Sequence, residues 1–100
     1  MTNDLNSTVL EGAIKTITLA EGQVDFVLSV RKFMKVDNDL VEVTSEVPCR
    51  AVGSLAESFK KLGDIGQGVR LVGNLQGPLN GSVFVFCECI EYKLSKKAKE

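Results

Sequence analysis

One short segment of this chain, Ser54 to Leu62 (SLAESFKKL), has the spacing of a helix; the other apolar segments alternate with the period of a strand. Leu55, Phe59 and Leu62 stand at i, i+4 and i+7, on one side of a helix of about two turns. Ser54 and Glu57 have the spacing of a capping box, in which the Ser54 hydroxyl accepts from the Glu57 amide and the Glu57 carboxylate reaches back. Lys60 and Lys61 suit the negative end of the helix dipole, and Gly63 suits a left-handed cap. A single helix this short cannot bury the rest of the apolar residues, so the core must be built by a sheet.

The strands follow from the alternation. Thr8 to Leu19 is rich in β-branched residues, with Gly12 at a bulge or bend, and Glu21-Gly22 is a turn. Val24 to Val36 alternates best: Phe26, Leu28 and Val30 fall on one face, and Val27, Ser29 and Arg31 on the other. Asp37-Asn38-Asp39 reads as a hairpin turn and Leu40 to Val52 as the returning strand, with Pro48 at an edge, bulge or break. After the helix come Gly66-x-Gly68 as a turn, Val69 to Leu75, a turn at Pro78-Leu79-Asn80-Gly81, and Ser82 to Tyr92. Three strands, one helix and two strands form the element order of the OB-fold, a small all-β Greek-key barrel of five strands with its helix between strands three and four. Residues 1–94 make one such domain, and residues 95–100 a flexible charged tail.

Composition narrows the function. The net charge of −1 gives no global attraction to polyanions, so nucleic-acid binding requires a local basic patch. The chain has no His, the usual general base near neutral pH, and pairs no Ser or Cys with a base, so no enzyme is expected. Three cysteines make no disulfide framework. Cys87 and Cys89 fall on one face by parity and read as small buried apolar residues, because no second pair of ligands completes a zinc site. No cofactor and no metal are expected. No apolar run approaches the roughly 20 residues of a membrane span, and the polar start is unlike a signal peptide, so a reducing cytoplasm is the expected location.

Three segments, NDLNSTVLEGAI, DFVLSVRKFMK and GSLAESFKKLGDIGQGVRLVGNL, resemble the bacterial single-stranded DNA-binding protein family. Gly53, Leu55, Ala56 and Glu57 match that family's helix entry, and Val69, Leu71, Gly73 and Leu75 match the strand that follows. The resemblance spans about residues 3–92, and the related primosomal replication proteins are a second likeness. It implies an OB-fold that pairs into homodimers or homotetramers, binds single-stranded DNA (with RNA as an alternative) without strong sequence preference, and acts in replication, recombination and repair. Replication proteins are the further partners it implies.

The chain departs from the family in three ways. It has no Trp, and of the family's three stacking positions, near Phe33 and Met34, near Glu46 and near Val52, only the first keeps a suitable side chain. The hairpin QGPLNG is short where the family's is long and basic, and the sequence closes on SKKAKE in place of an acidic, Phe-ending tip.

The candidate nucleic-acid-binding residues are therefore Arg31, Lys32, Phe33, Met34 and Lys35, with Arg50 on the next strand. The cations can neutralise phosphates, and Phe33 can stack on a base for roughly 1–3 kcal/mol. Asp37, Asp39, Glu42 and Glu46 lie near them and oppose a polyanion. The competing reading of the same stretch is a solvated hairpin end whose Phe33 packs on a subunit partner. The competing function is an OB-fold interaction or scaffold subunit with weak or lost DNA binding. Phe84, Phe86 and Tyr92 share a face by parity and are expected in the core or an interface.

Overall fold

The computed structural model describes residues 4–93; the charged tail expected at 95–100 lies outside them. Five strands, β1 (Thr8–Ala20), β2 (Gln23–Val36), β3 (Asp39–Val52), β4 (Gly68–Leu79) and β5 (Ser82–Tyr92), and one helix, α1 (Gly53–Leu62), follow in the expected order. The strands close into a barrel in the order β1-β2-β3-β5-β4, with β4 returning to β1. This is the OB-fold. All pairs are antiparallel except β3 with β5.

Alternation delivers the core. Val24, Phe26 and Leu28 of β2, Cys49 and Ala51 of β3, Val69 and Leu71 of β4, and Val85 and Cys87 of β5 all point inward and are buried. Each large apolar side chain so placed contributes about 1.5–3 kcal/mol. Helix α1 plugs one end of the barrel with Ala56 and Phe59; the Phe59 ring stacks on Phe26 at 4.6 Å and meets Tyr92 edge-on at 6.2 Å. Gly12 bends β1 where it passes from β4 to β2, and a Cβ there would stand 2.4 Å from the Ser29 carbonyl oxygen. The bulge itself falls at Lys15.

The helix ends differ from the sequence reading. The residue before the helix is Val52, Gly53 opens it with φ +63°, and no side chain caps it, so the Ser54–Glu57 capping box does not form. Gly63 ends the helix in an extended conformation (φ −82°), with its amide donating to the Phe59 carbonyl. Space requires the glycine, since a Cβ would sit 2.8 Å from the Phe59 ring. Leu62 is exposed, and the inward stripe is Leu55, Ala56 and Phe59.

Two further expectations are corrected. The register of β4 with β5 skips Glu88, so a bulge reverses the parity of β5. Cys87 is buried and Cys89 exposed, on opposite faces; Tyr92 packs toward the core, while Phe84 and Phe86 lie half-buried on the outside. The last turn is Asn80-Gly81 alone, both at positive φ, because β4 runs on through Pro78 and Leu79. Pro48 lies in β3 just before β5 joins at Cys49, where that edge of the strand has no partner for an amide to serve.

Candidate nucleic-acid interface

The barrel does not contain all of β2 and β3. β1 pairs with β2 only as far as Ser29, and β5 pairs with β3 only at Cys49 and Arg50. From Val30↔Ser45 to Val36↔Asp39 the two strands pair, among the described residues, only with each other. They form a two-stranded arm roughly 20 Å long at about 3.4 Å per residue. Its turn is Asp37-Asn38, with φ of 49° and 70°, the left-handed pair that closes a two-residue hairpin. Asp39, expected in the turn, is already paired with Val36.

Residues directly opposite in an antiparallel pair share a face, which sorts the candidate residues. Arg31, Phe33 and Lys35 stand on the outer face with their partners Thr44, Glu42 and Leu40. Lys32 and Met34 stand on the other face with Val43 and Val41. That second face continues the inward face of the barrel into solvent, and it carries Val36, Met34, Val41 and Val43 all exposed. On the outer face Phe33 is 61% exposed between two cations. Among the described residues, Arg31, Lys32 and Lys35 make no ion pair. An exposed ring flanked by uncommitted cations offers a stacking surface beside phosphate donors.

Arg50 belongs to the same outer face but lies eight positions along β3 from Glu42, roughly 26 Å at 3.3 Å per residue. It is committed: its Nε donates to Asp25 Oδ1 at 2.8 Å and its Nη2 to Oδ2 at 3.3 Å, and its guanidinium lies 5.1 Å from the centre of the Phe84 ring. The bond to Asp25 holds Arg50 more firmly protonated than usual. Glu46 similarly takes Lys15. Arg50 is thus placed in a different setting from the arm cations.

Sequence reasoning missed the partners Asp25 and Phe84. They border a cleft of about 290 Å³ on the outside of the barrel, with walls from Val27 and Pro48 and with Asn80 of the last turn. A signal for Asp25 was present: counting outward from a two-residue turn at Asp37-Asn38 brings Asp25 opposite Arg50. The Cys49 and Cys87 thiols are buried, and the Cys49 thiol donates to the Val47 carbonyl; the neighbouring Cys87 thiol and burial push Cys49 well above its ordinary range, which suits an inert core pair. No group of three or more metal-ligating side chains occurs among the described residues. No helix among them is long and apolar enough to cross a membrane.

No protein-family model matches this chain, and no curated protein matches it in sequence. Solved structures do match. The single-stranded DNA-binding protein of Plasmodium falciparum, solved in complex with single-stranded DNA, superposes with a TM-score of 0.77 at 15% identity, over 93% of this chain and 98% of that one. The small single-stranded DNA-binding protein of Streptomyces coelicolor gives 0.71 at 22% identity, over 93% and 97%. The PriB protein of Ralstonia solanacearum gives 0.69 at 14% identity, over 89% and 98%.

Proposed function

We infer the function from the fold that this chain shares with single-stranded DNA-binding proteins and with PriB, the two families that its sequence resembles. We propose that this protein binds single-stranded DNA without strong sequence preference and without catalysis, as part of replication, recombination or repair in the cytoplasm. The observation that carries this reading is the outer face of the arm, where exposed Phe33 stands between Arg31 and Lys35. A base stacks on the ring and phosphates meet the cations. Lys32 and Met34, across the narrow arm, contact a strand that wraps its edge. The protein works as a homodimer or homotetramer: the apolar second face of the arm, with Val36, Val41 and Val43, is the kind of surface a second copy covers.

Oligo-dT binding read by anisotropy across a salt series tests this. Arg31→Ala with Lys35→Ala weakens binding and flattens the slope of log affinity against log salt by about 0.7 for each phosphate no longer neutralised. Phe33→Ala weakens binding by roughly 1–3 kcal/mol and leaves the slope unchanged. The scaffold reading replaces this one if the parent shows no affinity for oligo-dT at low salt while light scattering finds a stable oligomer. A monomeric mass at micromolar concentration removes the proposed assembly.

A further inference from the structure

The cleft beside Arg50 has a chemistry distinct from that of the arm. Its walls combine the flat or apolar surfaces of Phe84, Pro48 and Val27 with the polar side chains of Thr16, Thr18, Asn80 and Ser82, and its polar floor is the Arg50–Asp25 pair. Asp25 cancels the charge of Arg50, so a phosphate gains little there. A neutral flat ring gains more, because it can lie against the aromatic and proline surfaces. Arg50 is also a fixed group, held by two bonds to Asp25 and by its position over Phe84, and its side chain is only 23% exposed. The bonds to Asp25 use Nε and one proton of Nη2, and the remaining N–H donors of the fork stay available.

We infer that this cleft takes one guanine base of a bound strand, with the ring against Phe84 and Pro48 and with Arg50 donating to O6 and N7. The inference rests on the single-stranded DNA reading above and adds a base preference at one position of the strand. Guanine fits because a donor-only fork wants two adjacent acceptors, and guanine presents O6 and N7 side by side. Adenine puts the donor N6 amino group where guanine has O6, so donor would face donor. Thymine has no two adjacent acceptors, and cytosine, whose O2 and N3 are adjacent in an unpaired base, is a single ring with less surface to lay against Phe84 and Pro48 than a purine.

The test compares oligo-dT carrying a single central dG, dA or dC, by anisotropy, at two salt concentrations. The dG strand binds about fivefold tighter than the dA strand or more, the lower end expected for a bidentate contact at a half-open site. The ratio stays constant with salt, because the contact neutralises no phosphate, while both affinities fall. Arg50→Gln abolishes the ratio, Phe84→Leu reduces affinity for every strand containing a purine, and Phe33→Ala lowers all affinities and preserves the ratio. Equal binding of dG and dA strands by the parent, or preference for dA or dC, overturns the cleft assignment and leaves the arm reading in place. Absence of binding to every strand overturns both. The parent comparison needs no variant, so a misfolded Arg50→Gln protein does not obscure the result.

Discussion

Phe26 and Phe33 lie on the same strand and have opposite fates. Phe26 is 2% exposed, stacked on Phe59 where the helix closes the barrel; Phe33 is 61% exposed on the arm. The alternation of β2 is continuous through both, and so is its register with β3 from Gln23↔Val52 to Val36↔Asp39. What changes is the neighbour on the far side. β1 leaves β2 at Ser29 and β5 leaves β3 below Cys49, and among the described residues no further strand pairs with either one beyond those points. Alternation therefore specifies a strand and its two faces; burial depends on where the other strands stop. In the barrel an apolar side chain is accounted for by the fold, and on the arm it is left exposed.

The sharpest test of this contrast is a pair of truncations. Phe26→Ala should cost about 3–5 kcal/mol, as expected for a large ring removed from a packed core. Phe33→Ala should cost no more than about 0.5 kcal/mol, as expected for an exposed position. Urea denaturation, with the midpoint shifted and the slope unchanged, reads both. A cost above about 1 kcal/mol for Phe33→Ala would break the contrast, because it would show the ring packed on something in the folded state.

Gly12 sharpens the boundary between the two regions. It sits at the foot of the arm, where an added Cβ meets backbone rather than a side chain that could turn aside. Gly12→Ala should cost about 1–3 kcal/mol, the usual range for overpacking a tight contact. The same urea experiment measures it, and a neutral result would mean that β1 and β2 separate easily at that point.

Tyr92 reports on the barrel alone, since it is the single tyrosine of the chain and packs against the core. Its hydroxyl is buried with no hydrogen-bond partner among the described residues, and burial pushes its pKa up to about 12. The folded state therefore holds the phenol proton where the unfolded chain, near 10, has released it. Stability linked to Tyr92 is fully present below about pH 10 and falls as pH rises toward about 12. Phenolate absorbance should titrate near 12 in the folded protein and near 10 in denaturant. Coincident titrations would place Tyr92 in solvent and the barrel end open.

The barrel was legible in the sequence because its information is local: one helical period among five alternating segments, and turns marked by Gly, Asn and Asp. What escaped was set by single-residue offsets. Reading the β2–β3 turn as three residues hid the pairing of Asp25 with Arg50, and hence the commitment of a cation that sequence reasoning grouped with the arm. The bulge at Glu88 reversed the faces of Cys89 and Tyr92, and nothing in a run of alternating apolar residues announces such an insertion. The arm residues were found by residue type, but their division into two faces depended on the same register.

The smallest expected effect lies on the barrel and tests whether burial, rather than region, is the true divide. Ser54 belongs to the barrel's own helix, yet it is exposed and its side chain caps nothing. The sequence alone would assign Ser54→Ala a cost of about 1 kcal/mol for a missing cap. With the cap absent, the change replaces serine by a better helix former and should be neutral or stabilising by a few tenths of a kcal/mol. Oligo-dT affinity should not change. An exposed barrel residue would then be as tolerant as Phe33 on the arm, and the line between them would follow solvent exposure. A loss near 1 kcal/mol in urea denaturation would instead mean that the Ser54 hydroxyl caps the helix in solution, and that Gly53 does not open it.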